Sequence, residues 1–257
     1  DSDKFCWEIE GVVSNDQNPN GSASDVEEFD LNVPELKECE VTLSKTSLNI
    51  EPDEVGTLVA TFMNDGNTDW SVNVGFTGDQ SSWASVDGAS SGMLPYNDGD
   101  GEKEFTIEIT PDDSIEANSQ KSITIQGKDG NLEKCSADVT ITVGQSHGAS
   151  ISLGNTALYN IEPGEDTSTT LTVTNQGNGP DTFRITASTP PSGWTVSLES
   201  STISTQSRHG NDKSGTIEVS ISLPTGALAT EEITITFSVM PTSSGGAYDT
   251  QELTITV

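Results

Sequence analysis

The residues with the clearest chemistry lie near the amino terminus, in the segment 16–27. Asp or Asn stands at positions 1, 3 and 5 of this segment, Gly at position 6 and Glu at position 12, which is the pattern of a calcium-binding loop. Calcium is a hard cation that takes about six to eight oxygen ligands, and this spacing wraps one chain around it. We therefore predict Ca²⁺ as the cofactor. The predicted ligands are Asp16, Asn18, Asn20, Ser22, Ser24 and Glu27, with Ser22 contributing its backbone carbonyl and Glu27 closing the shell.

Two alternatives compete with this metal site. Only two of the ligands are certain carboxylates, so we predict weak affinity, on the order of 10⁻⁴ M, as in extracellular modules. An ordinary polar linker would also be rich in Asn, Asp, Gly and Ser. Asn20-Gly21-Ser22 is in addition an acceptor sequence for N-glycosylation, and a side chain that binds the metal cannot also carry a glycan. The match at six positions favours the metal.

Other groupings of reactive side chains are weaker. Residues 98–102 form a short acidic stretch that we interpret as a solvated hairpin turn. The two histidines, His147 and His209, have no Cys or His at zinc-ligand spacing. No phosphate-binding loop, dinucleotide fingerprint or Gly-x-Ser-x-Gly motif occurs, and nothing distinguishes a glycosidase pair among the 41 acidic residues. We predict that the chain is not an enzyme and has no catalytic residues.

Composition narrows the range of partners. Ten Lys and Arg against 41 Asp and Glu give a net charge of −31, which opposes binding to nucleic acid and to anionic membranes. No apolar run is long enough to cross a bilayer. The chain begins at Asp1 with no signal peptide and stops at Val257 on a completed strand. We expect a mature or excised piece of a larger protein, with any anchor outside it.

An internal repeat indicates the domain organisation. Several segments of the first half recur in the same order in the second half, three of them with an offset of 111 residues. The pairs are 49–52 with 160–163, 64–67 with 175–178, Trp83 with Trp194, and 139–143 with 253–257. Matches that keep their order over a whole repeat are hard to obtain by chance.

Each copy has the pattern of about seven short strands. Residues 171–173, 217–221 and 233–237 alternate apolar with polar side chains, and turn residues such as 177–180 separate the strands. The prediction is an all-β chain of two tandem immunoglobulin-like β-sandwiches with an N-terminal strand and calcium loop. The predicted units are 1–36 for the strand and loop, 37–144 for the first sandwich and 145–257 for the second. The join at 144–148 is short, so we expect end-to-end stacking with limited flexing.

Three cysteines allow one disulfide and one remaining thiol. Cys39 opens the first strand of the first sandwich and Cys135 opens its last strand, and in an immunoglobulin-like sandwich these strand starts lie near the same end. We favour the pair Cys39–Cys135, which implies an oxidising compartment. The spacing leaves Cys6 open as a partner, and three reduced, buried thiols are the other alternative.

Three of the four tryptophans lie in the predicted sandwiches, as a repeated pair and a single residue. Trp83 and Trp194 occupy the same position of the repeat, which favours core packing. Trp70 has no counterpart, so stacking on a sugar ring, a carbohydrate site, is one hypothesis for it. Val72 and Val74 share its parity along the strand, and burial on that face is the favoured alternative.

Two family resemblances add to this picture. Residues 160–165, 171–177 and 191–196 resemble the CARDB and α-galactosidase-associated class of β-sandwich domains, which occur as repeats in secreted and cell-surface proteins of archaea and bacteria. The resemblance covers 150–257 and, more loosely, 40–143, where Pro52-Asp53 replaces the Pro-Gly of the second copy. Residues 9–31 resemble the calcium loop of B-type repeats in bacterial surface adhesins. Those repeats have Asp at position nine, where this chain has Ser24 and then Asp25.

The predicted function is that of a non-catalytic structural or adhesive segment of an extracellular or cell-surface protein, stiffened by calcium. Its partners would be other domains or copies of the same surface protein, with glycans as a further class and no direct membrane insertion. A filament or surface-layer subunit that assembles by strand addition is the first alternative. A carbohydrate-binding accessory module of a secreted glycosidase is the second.

Overall fold

The structure, a computed structural model, describes residues 11–12, 24–25, 32–96 and 101–257. The first four of these residues form two short strands, β1 (Gly11–Val12) and β2 (Ser24–Asp25), which pair antiparallel with Gly11 opposite Asp25 and Val12 opposite Ser24. The described residues from 32 onward belong to two β-sandwiches and the segments that lead into them. The fold is therefore all-β and immunoglobulin-like, as predicted.

Domain one packs a four-stranded sheet against a five-stranded sheet in its described residues. The four-stranded sheet has the order β3-β5-β9-β7 and the five-stranded sheet the order β4-β11-β10-β6-β8. The strands are β3 (Cys39–Leu43), β4 (Ser47–Ile50), β5 (Gly56–Asn64), β6 (Trp70–Thr77), β7 (Ala84–Val86), β8 (Ser91–Leu94), β9 (Glu102–Ile109), β10 (Gln120–Asp129) and β11 (Leu132–Val143). A 3₁₀ turn at Ser81–Trp83 precedes β7.

Domain two repeats this topology strand for strand. Its sheets have the orders β12-β14-β18-β16 and β13-β20-β19-β15-β17. The strands are β12 (Ala149–Leu153), β13 (Ala157–Tyr159), β14 (Asp166–Asn175), β15 (Asp181–Ala187), β16 (Thr195–Leu198), β17 (Thr202–Thr205), β18 (Ser214–Ser222), β19 (Glu232–Pro241) and β20 (Asp249–Thr256). The internal repeat of the sequence is thus a repeat of the whole fold.

Each domain has its own hydrophobic core, which the period-two alternation of the strands produces. In β5, Leu58, Ala60 and Phe62 point into the sandwich and are buried, while the residues between them are more exposed. One core cluster draws its buried residues from 41–143 and the other from 149–255. Two separate cores of this kind are what two independent sandwiches require.

The first strand of each sandwich is split between the two sheets. In domain one, β3 pairs antiparallel with β5, and after a short break β4 pairs parallel with the last strand, β11. Domain two does the same with β12 and β13, and β13 pairs parallel with β20. In the described residues each domain therefore has nine strands where the alternation indicated about seven, because one apolar stretch serves two sheets and the shortest strands carry little periodicity.

The turn after β4 shows how little one sequence departure matters. Gly164 of domain two adopts a left-handed backbone with φ of 85°, and Asp53 at the equivalent position of domain one adopts φ of 62°. Asp tolerates this region better than most residues with a side chain. Both turns close with the same bond, from Glu54 N–H to Glu51 O and from Glu165 N–H to Glu162 O, each 3.1 Å long.

Candidate functional site

Most of the predicted calcium ligands lie outside the described residues. Asp16, Asn18, Asn20, Ser22 and Glu27 belong to this group, and Ser24 lies in β2 opposite Val12. The pairing of β1 with β2 places Val12 opposite Ser24, the two residues that flank the segment 13–23 in the sequence. The calcium site remains a prediction. Within 32–96 and 101–257, no three His, Cys, Asp or Glu side chains form a group that could hold a metal ion.

Trp70 lies in the core of domain one, with 3% of its surface exposed. Its neighbour on the same face of β6, Val72, is also buried, whereas Ser71 between them is exposed. A buried ring cannot stack on a sugar, so the prediction of a carbohydrate site at Trp70 is wrong. The alternative prediction, burial on the face shared with Val72, is confirmed.

The repeated tryptophans are both buried, as predicted. The indole Nε1 of Trp83 donates a 3.0 Å hydrogen bond to Oδ2 of Asp112 in the loop after β9. Hydrogen bonds from the Ser114 side chain, the Trp83 indole and the Ser114 backbone hold the pKa of Asp112 below its usual value. Trp83 thus connects the core to the loop 110–119, which forms one side of the joint described below.

The disulfide forms between Cys39 and Cys135, the pairing favoured from the sequence. It links the first strand of one sheet to the last strand of the other, with the two Cα atoms 5.4 Å apart. Gly127 lies opposite Cys135 in β10, and a Cβ there would come within 2.8 Å of the Cys135 Sγ. The strand therefore needs glycine beside the disulfide.

The two sandwiches meet at a joint that centres on Asn178, in the turn between β14 and β15. Asn178 is fully buried, and its Oδ1 accepts a 2.8 Å bond from the Ser146 N–H of the linker. Its Nδ2 donates to Gly144 O at 3.0 Å and to Ile115 O of domain one at 3.2 Å. Its backbone carbonyl accepts a 3.0 Å bond from Ala117 N–H. One asparagine thus bonds to the linker and to domain one at the same time.

The neighbouring glycines allow the close approach that these bonds need. A Cβ on Gly177 would lie 2.3 Å from Ser146 O, and a Cβ on Gly179 would lie 3.0 Å from the Ala117 Cβ. Backbone atoms and a methyl group at such distances cannot move aside cheaply. The turn 177–179 therefore has glycine on both sides of Asn178, because the linker packs against Gly177 and domain one packs against Gly179.

Polar and charged side chains surround the asparagine. Arg208 of the β17–β18 loop forms a 2.7 Å ion pair with Asp113 of domain one. Ser207, which is buried, donates a 3.0 Å bond to Glu116, and His209 Nε2 lies 2.8 Å from Asp113 O. Arg208 and Asp113 are partly exposed, so their pair adds no more than about 1 kcal/mol. The buried amide, rather than the charges, carries the specificity of the joint.

Both histidines of the chain lie at this joint. His147 in the linker has its Nδ1 2.7 Å from Oδ2 of Asp181, and His209 contacts the Asp113 carbonyl of domain one. The sequence excluded them as zinc ligands, and their placement shows a different use as polar contacts of the joint. No sequence signal predicted this, since their partners are a carboxylate and a backbone carbonyl distant in the chain.

The second sandwich is similar to a known protein family. Residues 161–240 match the NPCBM-associated, NEW3 domain of alpha-galactosidase. The predicted resemblance of domain two to α-galactosidase-associated domains is thereby confirmed. No curated protein sequence matches the chain. No helix in the described residues has the length and apolar character needed to cross a membrane.

The solved structures to which the chain is similar match it at low identity and low TM-score. A protein of unknown function from Porphyromonas gingivalis W83 is 13% identical, with 84% of this chain and 99% of that chain covered and a TM-score of 0.29. Domains 4 and 5 of the S-layer protein SbsC are 19% identical, covering 58% and 68%, with a TM-score of 0.32. The calcium binding domain CBD12 of CALX1.1 is 13% identical, covering 86% and 100%, with a TM-score of 0.31.

Proposed function

We propose that this chain is a non-catalytic structural segment of an extracellular surface protein, in which the NEW3-like domain is held at a fixed orientation to the domain before it. The observation that carries the proposal is the fully buried Asn178, which bonds to the linker and to domain one. A buried amide with four hydrogen bonds has few other arrangements of equal energy. The joint therefore favours a spacer of defined shape over a flexible tether.

The chemistry of the rest of the chain supports an exterior location. The Cys39–Cys135 disulfide suits an oxidising compartment. The net charge of −31 keeps the chain soluble and is screened in salty media. Residues 161–240 match the NPCBM-associated, NEW3 domain of alpha-galactosidase, which is an accessory and not a catalytic domain, and this match supports a role outside catalysis.

The test of the spacer is whether the two sandwiches tumble together. We expect ¹⁵N relaxation of the full chain to give one rotational correlation time for amides of 39–143 and of 149–256, because the joint couples them. Two clearly different correlation times, each near that of a single domain of its size, would refute the fixed orientation. The measurement needs no variant and does not depend on calcium.

Calcium is the second part of the proposal and has its own test. A weak site in 16–27 would stiffen the chain before domain one, and binding to the folded state alone stabilises it by mass action. At a calcium concentration of about 100 times the Kd, this effect is about 2.7 kcal/mol. We expect thermal unfolding to shift upward with calcium and to return with a chelator.

The matched variants for that test are neighbours in the sequence. Glu27→Gln removes the closing carboxylate and should abolish the calcium-dependent shift, because the bidentate acid supplies two of the ligand oxygens. Glu28→Gln removes the same charge one position outside the loop and should leave the shift intact. If calcium causes no shift in the unmodified chain, the segment is a linker and Asn20 becomes available to a glycan.

A role as an accessory module of a glycosidase is the second candidate, and the NEW3 match favours it. Binding to polysaccharides on a glycan array would support this role. Because Trp70 is buried, a Trp70→Phe variant should bind any such ligand as the unmodified chain does. If no polysaccharide binds, the structural role stands alone.

A further inference from the structure

Domain one contains the same turn that forms the joint in domain two. In domain two the Asn175 Nδ2 donates to Gly179 O at 2.9 Å, and Gly177 N–H donates to Asn175 Oδ1 at 2.7 Å. In domain one the Asn64 Nδ2 donates to Thr68 O at 2.9 Å, and Gly66 N–H donates to Asn64 Oδ1 at 2.9 Å. The two turns, 64–67 and 175–178, are built identically.

Both turns also hold the segment that leads into their domain. The Asn67 Oδ1 accepts a 2.6 Å bond from Leu36 N–H, and its Nδ2 donates to Pro34 O at 3.1 Å. Asn178 makes the same pair of bonds to Ser146 N–H and Gly144 O. Glycine is needed in both places, since a Cβ on Gly66 would lie 2.0 Å from Leu36 O. Residues 34–36 therefore bind the Asn67 turn of domain one in the same way as the linker residues 144–146 bind the Asn178 turn of domain two.

The two turns differ in whether another part of the chain covers them. Residues 115–117 of domain one cover Asn178, which is fully buried, whereas Asn67 is exposed. Two apolar side chains are exposed at the same end of domain one: Val33 at 54% and Leu36 at 46%. An asparagine turn with the geometry of a joint, next to exposed apolar side chains, indicates a surface that another part of the protein covers.

We propose that residues 1–31 of this chain pack on this surface, which consists of the turn 64–67 together with Val33 and Leu36. The chain enters domain one here, so the segment is tethered beside the surface at an effective concentration of roughly millimolar or more. It also carries the alternating apolar residues Phe5, Trp7 and Ile9, which suit contact with Val33 and Leu36. The amino-terminal segment thus occupies the place that domain one occupies on domain two.

This inference rests on the proposed function, because the docked segment contains the predicted calcium loop. If it docks, the stiffening by calcium extends from the loop into domain one through the Asn67 turn. Docking and calcium binding are nevertheless separate properties, and they can be measured separately on the same sample.

Covalent footprinting of the unmodified chain tests the docking with controls of matched residue type. Val33 and Val55 are exposed to similar extents, 54% and 57%, and Leu36 can be compared with Leu228 at 72%. We expect Val33 to be labelled at least about threefold less than Val55, because a close-packed neighbour excludes the probe. The same contrast is expected between Leu36 and Leu228. Labelling of Val33 and Leu36 at the level of their controls would overturn the inference.

Two further arms separate the sources of any protection. The footprint is repeated at a tenfold lower protein concentration, because protection that disappears on dilution would show that a second copy covers the surface and would also overturn the inference. Calorimetric titration with calcium is run on the same chain. If Val33 and Leu36 are protected but calcium does not bind, the docking stands and the calcium part of the proposed function is refuted. If calcium binds but Val33 and Leu36 are not protected, the calcium part stands and the docking is refuted.

Discussion

Replacing Asn178 with alanine removes the side chain that ties domain one, the linker and domain two together. The variant leaves four groups without their partner: the Ser146 N–H, the Ser146 hydroxyl, the Gly144 carbonyl and the Ile115 carbonyl. A hydrogen bond in a protein contributes about 0.5–1.5 kcal/mol net, and a buried group left unpaired costs about 1–3 kcal/mol. Water can reach part of an opened joint, so we expect the joint to weaken by about 2–4 kcal/mol.

Hydrogen exchange at Ala117 reports this loss directly. Its N–H donates to the backbone carbonyl of residue 178, which alanine retains, so the amide exchanges faster only if the joint opens. A weakening of about 2–4 kcal/mol corresponds to faster exchange on the order of 30- to 700-fold. Amides in the centres of β5 and β14 should keep their rates, because both cores remain intact.

A matched variant makes the reasoning refutable. Asn155→Ala removes an exposed asparagine of the same domain and should change stability by no more than about 0.5 kcal/mol. If Ala117 exchanges no faster in the Asn178 variant than in the Asn155 variant, Asn178 does not hold the joint. The spacer proposal would then lose its main support.

Three further predictions follow from the described contacts. Gly177→Ala should open the joint, since its Cβ would lie 2.3 Å from a backbone carbonyl, while Gly226→Ala, with nothing within 4 Å, should be tolerated; exchange at Ala117 distinguishes them. Reduction of the disulfide, which spans 96 residues, should destabilise domain one by about 2–4 kcal/mol and leave the unfolding of domain two unchanged. Folding lowers the pKa of Asp112 from its usual value of 3.8, so the ionised carboxylate stabilises the folded state above pH 3.8. This stabilisation is lost as the pH falls through the pKa that Asp112 has in the folded state. The difference in thermal midpoint between the unmodified chain and Asp112→Asn should therefore shrink in acid, and a constant difference would contradict this explanation.

The fold could be predicted from sequence because its causes are local and repeated. Alternation along strands such as β18 determines which side chains enter the core, and the 111-residue repeat shows that the same solution is used twice. Parity with Val72 also predicted the burial of Trp70. The disulfide could be favoured because the sequence pattern placed the two cysteines in the first and the last strand of one sandwich; Cys39 is the first residue of β3, whereas Cys135 is the fourth residue of β11.

The joint could not be predicted in this way. The repeat revealed the turn 175–178, but the pattern alone indicated only a turn. The groups that Asn178 binds across the joint are the Ile115 carbonyl and the Ala117 N–H, and backbone groups are the same at every residue of a sequence. Only the placement of one domain on the other selects these groups. Asn67 shows the same limit of sequence-based prediction. The turn 64–67 has nearly the same sequence as 175–178, yet Asn67 is exposed and Asn178 is buried.

The disulfide and the parallel strand pairs have a consequence for a chain pulled from its two ends. Force that enters domain one at Cys39 passes through the disulfide to Cys135, so the residues between the two cysteines carry none of it. Domain two has no such bypass, and its loss of structure would release on the order of 350 Å of chain. The parallel pair β13–β20 resists this extension, because its hydrogen bonds are perpendicular to the applied force and must break at the same time. Under mechanical load the protein would therefore act as one link of nearly constant length joined to one that can extend.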